Sequence, residues 1–128
     1  MTDEPSDGVD YDGLLQAHLQ RVFGERKSVP RQAAIRELYA DDVVVYEQDA
    51  QAVGHAGVDH VVEAILSKAP PSFVFGTFGP GVGHHNVGRL RWHFGPAGGP
   101  PVVTGLDVVK VANNRIKTLH VFVDQPTT

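Results

Sequence analysis

Cysteine is absent from the 128 residues, so disulfide frameworks, thiolate-bound metals, iron–sulfur clusters and cysteine nucleophiles are all excluded. Long apolar runs are missing too, and none approaches the ~20 residues that span a bilayer. The first residues are acidic and polar rather than basic and apolar, unlike a secretory leader. Positive charge is not in excess. Eleven Lys and Arg stand against fifteen Asp and Glu, and five of the acids (Asp3, Glu4, Asp7, Asp10, Asp12) fall in the first dozen positions. Beyond Asp12 the chain is close to neutral, without the basic face that nucleic acid requires or the basic amphipathic helix of a membrane-surface protein. A cytoplasmic protein with neither nucleic acid nor membrane as partner is the expectation.

What is present is a globular balance of 41% hydrophobic and 20% charged residues, enough for one domain with a core and an internal pocket. Residues 1–10 read as a flexible acidic tail and 11–128 as a single domain. Leu14, Leu15, His18, Leu19, Val22 and Phe23 recur at the spacing of one helix face, up to Gly24. Ser28, a candidate N-cap, and Pro30 announce a second helix with Ala34, Ile35, Leu38 and Tyr39 on its apolar side. The period then changes to two through Val43, Val44, Val45 and Tyr46, a strand running into Glu47. A turn from Gly54 to Gly57 opens a third helix that Pro70 and Pro71 close. Four strands are predicted after it, Phe73 to Phe78, Val87 to Phe94, Val102 to Val111 and Ile116 to Val123, with Asn113-Asn114 as a tight hairpin. This order implies an α+β fold: a cone-shaped, curved antiparallel sheet with three helices of the N-terminal half packed over it.

The segments LYADDVVVYE (38–47), GHAGVDHVVEAIL (54–66), GRLRWHFG (88–95), VTGLDVVKV (103–111) and RIKTLHVFVD (115–124) follow one another in a familiar order. Together they resemble the nuclear transport factor 2-like superfamily and, within it, the SnoaL-like branch, similar to ketosteroid isomerases and polyketide cyclases. The resemblance implies a cystatin-like α+β barrel and a homodimer paired sheet to sheet, with Leu106, Val108 and Phe122 as apolar residues on the second face. In the isomerase pattern a general base lies five residues beyond an aromatic-Ala-Asp-Asp stretch. Here Tyr39-Ala40-Asp41-Asp42 is followed by Glu47 at that spacing. The isomerase's protonated Asp, which donates to the developing enolate, sits in an apolar strand context that matches Val103 to Val109, with Asp107 at the acid. The isomerase's two tyrosine positions fall on Phe23 and Val62.

Strand parity points the same way. Side chains at i and i+2 share a face, so Glu47 follows Val43 and Val45, and Asp107 sits among Val103, Gly105, Val109 and Val111. A carboxyl desolvated by valines is expected to have its pKa raised toward neutrality, where it can abstract a proton beside a carbonyl. A second, protonated carboxyl can then donate to the resulting oxyanion. Glu47 is accordingly expected as base and Asp107 as acid or donor, with His18 and His120 as possible accessories. Leu19, Phe23, Val45, Val62, Trp92, Gly105 and Val109 are the expected pocket lining. No metal is expected, because His55 and His60 are five apart, His60 and Glu63 supply only two ligands, and His84-His85 lie in a turn. Gly79, Gly81 and Gly83 form no phosphate loop, so no cofactor is expected. The function implied is a cofactor-free acid–base enzyme, of isomerase, cyclase or dehydratase type, on a small apolar carbonyl compound, steroid-like or polyketide-like. The alternative is a module of the same fold that binds a small hydrophobe without turning it over.

Overall fold

The structure, a computed structural model, describes residues 8–124; residues 1–7 of the expected tail and 125–128 of the expected domain lie outside the described residues. The chain begins with helix α1 (Tyr11–Ala17), which continues without a break into π-helical turns over His18–Phe23. Asp10 caps its start by accepting from the Gly13 N–H at 2.9 Å. Helices α2 (Ser28–Leu38) and α3 (Gly54–Lys68) follow. Ser28 is the first helical residue of α2 rather than its cap; that place falls to Lys27, whose side chain makes no capping bond.

Among the described residues seven strands complete the fold: β1 (Tyr39–Glu47), β2 (Ala50–Val53), β3 (Phe73–Thr77), β4 (Val82–His84), β5 (Val87–Pro96), β6 (Val103–Ala112) and β7 (Arg115–Val123). They form one curved, unclosed sheet in the order β2-β1-β7-β6-β5-β3, with β4 on β5. The three helices cover its concave side, an α+β cone. The late strands are antiparallel, as their short turns require. Asn113 and Asn114, both at positive φ (53° and 61°), make the two-residue turn between β6 and β7, and His85 and Asn86 (51° and 66°) do the same between β4 and β5. One pairing differs from the expected antiparallel sheet: β1 runs parallel to β7. These two strands are far apart in sequence, so no tight turn dictates their relative direction. Strands β2 and β4 were not foreseen, being short and lying inside segments rich in turn residues.

The core lies between helices and sheet. Leu15, Leu19 and Val22 from the first helix, Ile35 from α2 and Val58 and Val62 from α3 meet Val43, Val45, Leu90, Val109 and Leu119 on the concave face. Burying each such side chain stabilises the fold by ~1.5–3 kcal/mol. One buried cation ties the helical layer together. Arg31, fully covered, donates to Asp59 at 2.7 Å and Glu63 at 2.6 Å on α3, and to the Glu25 carbonyl at 2.9 Å. Burial disfavours its charge, and the two carboxylates more than offset this, holding its pKa above the ordinary value.

Arg31→Ala is therefore expected to lower the urea midpoint with little change in slope. The loss should be about 2 kcal/mol, below the ~3–5 kcal/mol of a wholly buried pair, because the Glu63 side chain is 60% exposed.

Candidate functional site

Strands β1, β7 and β6 lie side by side. Tyr46 pairs with His120, which sets Glu47 beside Val121, and Val121 pairs with Asp107. Glu47, Val121 and Asp107 thus form a row across three strands on the concave face. Two strand spacings separate the acids, about 10 Å between their backbones. Both residues line one cavity of about 240 Å³. Its other walls are apolar: Leu19 and Phe23 from the first helix, Ile65 from α3, Phe75, Trp92 and Phe94 from the aromatic strands, and Val103, Val121 and Val123. The buried members form its floor, and the partly exposed Glu47, Ile65, Val103 and Val121 with exposed Val123 form its rim.

Asp107 is 3% exposed but not alone. The Trp92 indole N–H donates to its Oδ1 at 2.9 Å. His18 Nε2 lies 2.7 Å from its Oδ2, and the other imidazole nitrogen, Nδ1, is hydrogen-bonded to the Tyr39 hydroxyl. A chain of four side chains, Trp92–Asp107–His18–Tyr39, therefore runs from the cavity wall back into the core, and neither His18 nor Tyr39 lines the cavity. Burial, and then the charge of Asp107, push the Tyr39 hydroxyl well above its ordinary pKa. The π-helical turns hold His18, Leu19 and Phe23 together on the inner side; such turns occur frequently at functional sites. Glu47 differs from Asp107: its carboxylate makes no hydrogen bond or ion pair among the described residues.

Of the expected lining, Leu19, Phe23 and Trp92 face the cavity. Val45, Val62 and Val109 do not; each is completely buried in the helix–sheet packing. Gly105 acts by what it lacks: a Cβ there would stand 2.3 Å from Trp92 Cζ2 and 2.6 Å from the Phe122 carbonyl, so its bare backbone gives the indole its seat. His120 does not line this cavity; it lines a neighbouring pocket that shares Glu47, Val121 and Val123. It points opposite to Leu119 and Val121, and its exposed ring stacks on Tyr46 with centroids 4.7 Å apart on the convex face. Leu106, Val108 and Phe122, the residues expected in sheet-to-sheet pairing, share that uncovered face. Tyr39 was missed as a site residue because it reads as the last apolar position of α2. A buried tyrosine hydroxyl needs a partner, and His18, alone in the apolar row of the first helix, was the available signal. Among the described residues no three His, Asp or Glu side chains gather as metal ligands, and no helix is long and apolar enough to cross a membrane.

No family model matches the chain, and no curated protein matches it by sequence. Solved structures do. A candidate isomerase of the SnoaL-like family from Agrobacterium tumefaciens strain C58 superposes with a TM-score of 0.81 at 25% identity, covering 90% of this chain and 97% of that one. A candidate ketosteroid isomerase from Kribbella flavida gives 0.70 at 12% identity, over 92% and 80% of the two chains. A candidate polyketide cyclase from Sinorhizobium meliloti gives 0.66 at 17%, over 85% and 93%. The fold is that of the nuclear transport factor 2-like superfamily, in its SnoaL-like form.

Gly105→Ala is expected to push the indole off its seat and break the Trp92–Asp107 bond, at a cost of about 1–3 kcal/mol from overpacking. Trp92 is the only tryptophan, so its fluorescence reports the change directly: the emission should shift to the red, and an unchanged spectrum would count against this packing.

Proposed function

We propose that this SnoaL-like chain is a cofactor-free acid–base enzyme acting on a small, uncharged, apolar carbonyl compound. The observation that carries the proposal is the meeting of two carboxyl groups, from separate strands, in one otherwise apolar cavity. In water such groups are ordinary; facing an enclosed apolar ligand they are its only polar contacts, and they lie on opposite sides of β7.

The hydrogen bonds favour the reverse of the roles expected from the resemblance. Asp107, steadied through both oxygens by Trp92 and His18, is an acceptor and serves as the base that removes the proton beside the carbonyl. The electron pair moves onto the carbonyl oxygen. Glu47, which no donor holds among the described residues, is the second carboxyl group, on the other side of β7, and is assigned to give a hydrogen bond or a proton to that oxygen. Return of the Asp107 proton to a different carbon completes an isomerisation and restores both groups.

The cavity also sets the ligand's size and charge. It exceeds the ~150 Å³ that holds benzene and falls short of the ~300–1,000 Å³ of drug-sized pockets. A ketone of one or two rings fits within it, whereas a four-ring steroid would project past Val123. No Lys, Arg or His lines the walls, so a carboxylate or phosphate on the ligand meets two acids and no counter-charge.

One observation favours the non-catalytic alternative. Phe23 lines the cavity where the isomerase pattern has a tyrosine, so no hydroxyl reaches the ligand. Substitution separates the two readings. In an enzyme, Asp107→Asn and Glu47→Gln each lower kcat by ~10²–10⁴-fold while a two-ring ketone such as 2-tetralone keeps its affinity within a few-fold. In both readings 2-naphthoate binds at least about tenfold more weakly than 2-tetralone, a difference of about 1.4 kcal/mol. Undiminished turnover in both variants would overturn the catalytic assignment.

A further inference from the structure

His18 and Tyr39 are buried completely, line no part of the cavity, and still use their polar atoms on a chain that ends at Asp107. The direction of each hydrogen bond in that chain can be worked out from its ends. The Trp92 N–H only donates, so Asp107 Oδ1 accepts. At the other end the Tyr39 hydroxyl keeps its proton, because burial and the charge of Asp107 oppose its ionisation. Its hydrogen-bond partner is His18 Nδ1. A neutral imidazole that accepts at Nδ1 carries its hydrogen on Nε2, the atom 2.7 Å from Asp107 Oδ2. Every buried hydrogen in the chain then has an acceptor. With the hydrogen on Nδ1 instead, the Tyr39 hydroxyl would lose this acceptor and Asp107 would lose a donor.

The titratable groups facing His18 are Tyr39, where α2 meets β1, and Asp107 on β6. Phe23, on its own turn, presents only a ring at 5.2 Å, and Glu47 lies two strands from Asp107, beyond Val121. We propose that Tyr39 and His18 are positioning residues for Asp107. The tyrosine hydroxyl fixes the histidine in its Nε2–H tautomer, and the histidine holds the carboxylate as an aimed proton acceptor. The catalytic consequence rests on the acid–base reading above; the tautomer itself does not. In this arrangement hydrogen-bond support reaches the site from behind the catalytic carboxyl, where the isomerase pattern would place tyrosines around the ligand.

The test is a long-range ¹H–¹⁵N correlation spectrum of the imidazoles in the full ¹⁵N-labelled chain, with kinetics of three variants alongside. Wild-type His18 is expected to show a protonated Nε2 and a bare Nδ1. Tyr39→Phe, which removes one oxygen, should populate the Nδ1–H form. It should also lower kcat by about tenfold (~1.4 kcal/mol) with KM within about twofold. His18→Gln, whose amide can accept from Tyr39 and donate to Asp107, should retain more turnover than His18→Leu. A wild-type spectrum with the hydrogen on Nδ1 would overturn the inference, and so would a Tyr39→Phe variant with unchanged tautomer. Absence of turnover on every ketone tried would defeat the acid–base reading alone, and the wild-type spectrum, which needs no variant to fold, would still decide the tautomer.

Discussion

A carboxyl group buried between sheet and helix is costly unless it is partnered, and much of the site is arranged around Asp107. Two donors from different layers meet it: Trp92 from the neighbouring strand β5 and His18 from the π-helical turns above the sheet. Leaving either oxygen without its partner would cost ~1–3 kcal/mol. Gly105 must stay bare so that the indole can lie flat against β6. The first helix must seat His18 at the depth of the sheet, and Tyr39 must close the chain from the other side. The same contacts that satisfy the acid also join the helical layer to the sheet.

The remainder of the site comes from the geometry of a curved sheet. Alternate residues of β1, β6 and β7 point into the cone, and the parallel pairing of β1 with β7 brings Glu47 level with Asp107 across Val121. The apolar walls come from side chains whose main work is core packing, and the cavity is the space that Phe23, Phe75, Trp92 and Phe94 leave unfilled. Fold alone does not choose a function, since one scaffold supports several chemistries. The proposed function rests on two carboxyl groups in unlike surroundings, one held by two rings and one with no partner among the described residues.

Most of this could be read from the sequence wherever the signal was local. Period-two alternation placed Glu47 and Asp107 on inward faces, Asn113-Asn114 marked its hairpin, and the three helices fell where apolar spacing put them. Parity also contains the reason His120 faces away, since residues 119 and 121 are apolar and point inward. The signal failed where contacts join residues distant in the chain. The direction of β1 against β7 depends on no turn, and β2 is too short to alternate visibly. Val45 and Val109 share the correct strand face yet are sealed by helices, because parity gives a direction and not a depth, and Val62 on α3 is buried in the same packing. The bond between His18 and Tyr39 joins a histidine expected as a possible accessory to a tyrosine that read as an ordinary member of the apolar face of α2. Without that bond and the Trp92 N–H, nothing in the sequence distinguished acceptor from donor, and the roles proposed for the two acids are therefore the reverse of those the resemblance implies.

The central claim is that Glu47 and Asp107 face the same bound molecule. Carboxyl ¹³C resonances of the two residues, followed while a neutral two-ring ketone is titrated into the labelled protein, test it most directly. Both signals should move together along one saturation curve, while the surface acids Asp42 and Glu37 stay still. If the ketone binds and either resonance remains in place, the two carboxyl groups do not share a ligand and the account fails.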